Sequence, residues 1–171
     1  MLSLDLTRIR RADERFERTY EPEQLTPDDA YSVVAPVALA FDIRRNKSEF
    51  HLTGTIATTL ELPCSRCLEP LLWPVAASFD LRYQPLARNV GEGELEVHED
   101  DLSTAFYQND AIDLELLMKE QFQLALPMKP LCAGDCQGLC PVCGTNLNRG
   151  ACTCTRTWED PRLAALKALK H

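Results

Sequence analysis

Residues 50–83 read FHLTGTIATTLELPCSRCLEPLLWPVAASFDLRY, and this stretch decides the fold. On both sides of Cys64-Ser-Arg-Cys67, apolar side chains alternate with polar ones in the two-residue period of half-buried β-strands. The apolar positions are Phe50, Leu52, Ile56, Leu60 and Leu62, then Leu71, Trp73, Val75, Ala77, Phe79, Leu81 and Tyr83. Because the connection between the runs is short, the stretch predicts an antiparallel hairpin with two cysteines at its tip.

A third alternating run precedes this hairpin. Its apolar residues occupy odd positions: Val33, Ala35, Val37, Leu39, Phe41 and Ile43. Asn46-Lys47-Ser48 has the composition of a turn into the next strand. The three runs predict a meander that could be barrel-like, and Gly54 and Pro74 predict a bend or bulge within it.

Charged segments lie on either side of these strands. Leu2, Leu4 and Leu6 predict a short strand, and the charged stretch 8–29 that follows predicts a loop or an edge segment. We interpret its basic cluster as a solvated face; the cluster is Arg8, Arg10, Arg11, Arg15 and Arg18. The acidic run predicts a flexible, solvated loop that could also meet a basic partner; it comprises Glu92, Glu94, Glu96, Glu99, Asp100 and Asp101.

Two helices are predicted near the end of the chain. Asp113 is the expected N-cap of the first, and Pro127 ends it. One face of this helix carries Leu114, Leu117, Met118, Gln121, Phe122 and Ala125. The second starts with Asp160 as N-cap and Pro161 as its first residue. Its apolar stripe is Leu163, Leu166 and Leu169.

These elements predict an α+β protein. We expect an antiparallel β-sheet with one packing helix, a cysteine-rich zinc-binding tail and a short C-terminal helix. The predicted division is an N-terminal extension (1–30), the sheet plus helix (31–128) and the cysteine-rich segment with the C-terminal helix (129–171).

Composition narrows the functional class. The 171 residues are 45% hydrophobic, without an apolar run of the roughly 20 residues that span a bilayer. The N-terminus lacks the apolar core of a secretory signal, so we expect a cytoplasmic protein. A formal net charge of −8 argues against binding nucleic acid by bulk electrostatics and suits a basic protein partner.

Eight cysteines in a reducing compartment indicate metal ligands rather than disulfides. Cys64-x2-Cys67 lies in a hairpin, whereas redox pairs of this spacing usually begin a helix. Cys140-Pro-Val-Cys143-Gly144 is a more specific zinc knuckle, since the glycine allows the backbone to turn sharply.

Tetrahedral zinc requires four ligands, so the eight thiols divide into two sets. The first predicted set is long-range: Cys64, Cys67, Cys132 and Cys136. The second is local: Cys140, Cys143, Cys152 and Cys154. A shifted pairing, with Cys136 in the local set, and iron in place of zinc both remain open at this point.

The pattern favours a structural role for the metal. Four cysteines close the coordination shell, and the three histidines (His51, His98 and His171) are scattered outside any metal-spaced motif. We therefore expect no catalytic residues and no enzyme. Two Zn²⁺–thiolate sites of net charge −2 each would take the formal net charge from −8 to about −12. Direct RNA contact is then weak and local, through Arg149, Arg156, Arg162, Lys167 and Lys170.

Several of these motifs together resemble the YceD family of large ribosomal RNA subunit accumulation proteins. The shared features are Cys64-Ser-Arg-Cys67-Leu-Glu-Pro70, Leu124-Ala-Leu-Pro127, the run from Pro130 to Asn148 with its knuckle, Cys152-x-Cys154 and Asp160-Pro-Arg-Leu163. The resemblance covers roughly residues 30–171. It implies a role in synthesis, processing or stability of large-subunit ribosomal RNA in bacteria and chloroplasts. Some members lack the last four cysteines, which implies that the two sites are independent.

The sequence thus leads to one main hypothesis: a bacterial, non-enzymatic zinc-binding accessory factor in large ribosomal subunit biogenesis, with one or two structural Zn²⁺. Its expected partner is a ribosomal precursor particle, or a basic ribosomal or processing protein. Two alternatives stay open: a thiol-based redox or metal sensor, and a ribonuclease-type RNA-processing enzyme.

Overall fold

A computed structural model describes residues 2–86 and 104–154. The acidic run and the predicted C-terminal helix lie outside these residues. The elements are β1 Ser3–Asp5, β2 Asp13–Tyr20, β3 Ser32–Val33, β4 Val37–Asn46, β5 Glu49–Pro63, β6 Pro70–Pro85, β7 Thr104–Tyr107, β8 Ala111–Asp113 and α1 Leu114–Ala125. Short 3-10 turns occupy Leu6–Arg8 and Pro22–Gln24.

The main sheet is built on the predicted hairpin. Its strands lie in the order β2-β4-β5-β6-β7, with β3 also paired to β5. The β4–β5 and β5–β6 pairs are antiparallel, which confirms the meander, but β7 runs parallel to β6. Within the described residues β2 and β7 form two separate edges, so the sheet is open and mixed, and the expectation of a barrel-like form is wrong.

The register of the hairpin is continuous. Pairing runs without a bulge from Phe50 opposite Tyr83 to Pro63 opposite Pro70. Gly54 lies within this pairing, and β4 passes very close to it. A Cβ atom at this position would be 2.3 Å from the Ala40 carbonyl oxygen. The expected bulge is therefore absent from these pairings, and the glycine marks a close approach between two strands.

The core lies on the face of the sheet that carries the predicted apolar positions. Leu39, Leu52 and Ile56 are almost fully buried there, as are Met118 and Phe122 of α1. The Trp73 indole N–H donates to the carbonyl of Ala125 at 3.2 Å, which fixes the end of α1 beside the tip half of β6. Burial of one helix face against one sheet face is what the two periodicities require.

The sequence correctly placed the start of α1. The Asp113 carboxylate accepts hydrogen bonds from the backbone N–H groups of Glu115 and Leu116, as an N-cap does. Leu126 caps the other end, directly before Pro127. No helix in the described part of the chain is long and apolar enough to cross a bilayer.

The N-terminal residues belong to the sheets. The short strand predicted around Leu4 is present as β1 and pairs with β8. Part of the charged stretch 8–29 forms β2, an edge strand along β4, so its interpretation as an edge segment is confirmed. The division of the chain at residues 30 and 128 stays a prediction.

We expect Gly54→Ala to lower the free energy of unfolding by about 2–3 kcal/mol, since the new methyl group overlaps the β4 backbone. Urea denaturation measures this change. Thr55→Ala, at the neighbouring exposed position, is the control and should shift the midpoint little. An unchanged midpoint for Gly54→Ala would show that the strands do not approach this closely.

Candidate metal centres

The chain after α1 returns to the tip of the β5–β6 hairpin. Because α1 ends beside Trp73, only a few residues are needed to reach the tip at residues 64–69. Two backbone hydrogen bonds join the segments: Ser65 N–H donates to the Pro130 carbonyl at 2.8 Å, and Leu139 N–H donates to the Arg66 carbonyl at 3.1 Å. The cysteines of both segments therefore meet.

The first group of thiols unites these two segments. The Sγ atoms of Cys64, Cys67, Cys132 and Cys136 all lie within 4.8 Å of one another. Two of the separations are 3.9 Å (Cys64 to Cys136) and 3.6 Å (Cys67 to Cys132). Four sulfurs at 2.3 Å from a tetrahedral Zn²⁺ are about 3.8 Å apart, so the donor set fits such an ion. All but Cys132 are buried.

Hydrogen-bond donors surround these sulfurs. Backbone N–H groups of Cys67 and Arg66 lower the pKa of Cys64 to about 6, and the Asn148 side chain lowers the pKa of Cys136. Contact with the Cys67 thiol instead raises the pKa of Cys132 to about 12. Four thiols this close cannot all ionise by themselves, whereas a divalent cation at their centre would favour four thiolates.

The second group is formed by the local segment. The Sγ atoms of Cys140, Cys143, Cys152 and Cys154 also lie within 4.8 Å of one another. The knuckle turn is closed by Gly144 N–H donating to the Cys140 carbonyl at 2.9 Å. Cys140 is buried, Cys143 is exposed, and the other two are half-buried, so this group is the more accessible to solvent.

Thr145 supports the second group. Its hydroxyl shares a 3.1 Å hydrogen bond with the Cys143 thiol and lowers the pKa of that thiol to about 6. The Cys140 thiol also has a lowered pKa, because backbone N–H groups of Cys143 and Val142 point at it. Each group contains the four cysteines that the spacing predicted, and Cys136 lies in the first group. Ligation of a metal by these residues stays a prediction.

The sequence assigned no role to Glu69, Asn146 and Asn148. Glu69 and Asn146 join the tail to the hairpin tip, and Asn148 forms hydrogen bonds within the tail. Glu69 accepts hydrogen bonds from Asn146 Nδ2 at 3.1 Å and from Arg149 at 2.9 Å. Asn148 donates to Cys136 Sγ at 3.3 Å and accepts from Gln137 N–H at 2.7 Å. The sequence feature that could have revealed these roles is the Asn146-Leu-Asn148 spacing just after the knuckle. Arg149, expected as a local RNA contact, is already engaged by a carboxylate.

The two knuckles differ at the residue after their second cysteine. Gly144 has φ of +73°, which glycine adopts freely, but the matching residue in the hairpin is Leu68, with φ of +61°. For a leucine this conformation costs about 1–2 kcal/mol. Its side chain is also 64% exposed, so the strain is not offset by burial in the described structure.

Comparison of the chain with known protein families gives one match. A family model described as "Large ribosomal RNA subunit accumulation protein YceD" matches residues 52–170, which include both thiol groups. No solved structure matches the chain.

Two of the curated relatives carry the same description. The chain is 27% identical over 150 residues to a protein of Zea mays and 26% identical over 157 residues to one of Arabidopsis thaliana. Both are named "Large ribosomal RNA subunit accumulation protein YCED homolog 1, chloroplastic"; the matches cover 70% and 80% of this chain and 48% and 49% of theirs. An uncharacterized protein of Mycobacterium tuberculosis is 32% identical over 96 residues, covering 56% of this chain and 44% of its own. The chain thus spans about half the length of these relatives.

The two groups should respond separately to loss of their hydrogen-bond donors. We expect Asn148→Ala to speed zinc transfer to a chromogenic chelator about tenfold from one site only, because Cys136 loses its donor. Thr145→Ala is the matched variant and should speed the other kinetic phase. If either substitution accelerated both phases equally, the groups would not be independent sites.

Proposed function

The chain belongs to the YceD family, and from this premise we propose that it is a non-enzymatic accessory factor in large ribosomal subunit biogenesis. It supports synthesis, processing or stability of large-subunit ribosomal RNA. The observation that carries the proposal is the family match over residues 52–170, and two matched plant proteins are named for large ribosomal RNA subunit accumulation.

We propose Zn²⁺ as the ligand of both thiol groups, with a structural role. All-thiolate tetrahedral sites suit this ion, which supplies charge neutralisation and geometry but no redox change. Cys64 and Cys67 hold the hairpin side of the first site, and Cys132 and Cys136 hold the tail side. The backbone bonds at Ser65 and Leu139 then orient the tail on the sheet.

Two features support a binding role over catalysis. Four cysteines in each group complete a tetrahedral shell and leave no position for a substrate. His51 is the one histidine in the described residues. It lies opposite Arg82 in the β5–β6 pairing and shares a hydrogen bond with Asp80 of β6. It is therefore far along the strands from the thiols of the tip. A ribonuclease-type activity has no such support.

A thiol-based sensor is the second candidate, and one observation favours it. Cys143 is exposed, and its pKa is lowered to about 6, which are properties of a reactive thiol. A bound Zn²⁺ would protect this sulfur, so thiol titration of the metal-loaded protein separates the two candidates. Eight protected thiols support the structural role, and two or more reactive ones support sensing.

The partner we propose is a ribosomal precursor particle, reached through a basic ribosomal or processing protein in the cytoplasm of a bacterium. The formal net charge of −8 disfavours contact with naked RNA and favours a cationic protein. Among the cations expected to touch RNA, Arg149 pairs with Glu69. The other four lie outside the described residues.

Native mass spectrometry tests the metal. We expect two zinc ions per chain, falling to one in Cys64→Ser and to one in Cys152→Ser, since each substitution removes a ligand from a different group. Val142→Ala, an exposed knuckle residue that is not a ligand, should keep both. A single ion in the unaltered protein, or iron in place of zinc, would contradict the assignment.

Depletion in growing bacteria tests the role. We expect the ratio of large- to small-subunit ribosomal RNA to fall and to recover with the unaltered chain. A His51→Ala chain should restore it equally well, because the proposed role needs no catalytic histidine. A normal ratio after depletion would refute the ribosomal role, and failure of the His51→Ala chain would favour an enzyme.

A further inference from the structure

We infer that the hairpin tip displays Leu68 beside an acidic groove as the docking surface for a lysine- or arginine-rich protein segment that carries an apolar side chain. The inference rests on the proposed function and names the surface through which it operates. The groove, called the tip groove below, has a volume of about 200 Å³. Its lining includes Asp28, Asp29, Tyr31, Glu61, Pro63 and Leu68.

Leu68 is the first observation. It takes up a left-handed backbone conformation, with φ of +61°, at a place where the other knuckle uses glycine. Its side chain is 64% exposed, so neither backbone preference nor burial within the described structure accounts for a leucine here. A strained residue that projects an apolar side chain into solvent is a feature of recognition sites rather than of cores.

The charge of the tip groove is the second observation. Among the described residues, Asp28, Asp29 and Glu61 are its only ionisable side chains apart from the Tyr31 phenol, and no described lysine, arginine or histidine lines it. Within residues 2–86 and 104–154, none of these three carboxylates forms an ion pair. Three unpaired negative charges around an apolar floor complement a cationic segment and repel the phosphates of RNA.

The position of the tip groove is the third observation. Leu68 directly follows Cys67, and its N–H donates to the Cys64 carbonyl at 3.0 Å. The neighbouring Glu69 is held by Asn146 and Arg149 of the tail. The first thiol group and the docked tail therefore fix the backbone that presents Leu68, which lowers the entropic cost of binding.

Photo-cross-linking in growing bacteria tests the inference. The full chain carries a benzoylphenylalanine in place of Leu68, or in place of Phe106 as a control. Phe106 is 41% exposed on β7, which pairs with the end of β6 away from the tip. We expect an adduct at position 68 whose partner peptide, identified by mass spectrometry, is rich in lysine or arginine. Glu61→Lys should reduce the yield at least fivefold, and Glu17→Lys, on the distant edge strand β2, should not.

Other adducts at position 68 would overturn the inference: RNA, an acidic protein segment, a second copy of the chain, or residues 155–171 of the same chain covering the tip groove. A yield no higher than at position 106 would overturn it as well. The ratio of ribosomal RNAs after depletion is measured in the same strain. If it falls while position 68 gives no basic partner, the docking surface is wrong and the proposed function stands.

The variant Leu68→Gly distinguishes a role of the Leu68 side chain in docking from a role in folding. The glycine relieves the left-handed strain, so this variant should keep two zinc ions by native mass spectrometry. Its affinity for the purified cross-linked protein should fall at least tenfold, whereas Val142→Ala, which truncates the exposed apolar residue of the other knuckle, should leave the affinity unchanged. Loss of metal together with affinity in Leu68→Gly would show that Leu68 serves the fold, and unchanged affinity would show that it does not dock a partner.

Discussion

The convergence of Cys64 and Cys67 with Cys132 and Cys136 is the contact on which the arrangement of the tail depends. The apolar contacts around this group are few: Leu71, Leu131 and Leu139 are only half-buried against it. Half-burial of three leucines stabilises by only a few kcal/mol. Structural zinc supplies roughly 10–16 kcal/mol in small domains, so a metal at this group would contribute more than these apolar contacts do.

The sheet, by contrast, stabilises itself through burial. The continuous β5–β6 pairing presents one apolar face, and α1 covers it with Leu114, Leu117, Met118 and Phe122. Its role for the tail is geometric. A long, regular hairpin holds Cys64 and Cys67 at a fixed place, and the end of α1 beside Trp73 delivers the returning chain to that place. The part of the molecule for which we propose metal binding is therefore built on a part with its own buried apolar core.

Local patterns predicted the elements well where one physical rule dominated. Two-residue alternation gave the three long strands, and the Asp113 carboxylate gave the start of α1. The parallel β7 and the β1–β8 pair were missed because Thr104–Tyr107 and Ala111–Asp113 are too short to show a period, and their partners are distant in sequence. Gly54 suggested a bulge, yet its cause is the approach of β4, which no local pattern contains. Cysteine spacing gave the membership of both thiol groups, but the contact between Glu69 and Asn146 forms only once the tail docks.

Amide hydrogen exchange of the zinc-loaded and the zinc-stripped protein tests this division most directly. The decisive amides are those of Ser65 and Leu139, which bridge the hairpin tip and the tail. We expect both to lose their protection when zinc is removed, while amides in the centre of β5, such as Ile56, keep theirs. Unchanged protection at Ser65 and Leu139 would contradict this expectation, as would a loss of protection throughout the sheet.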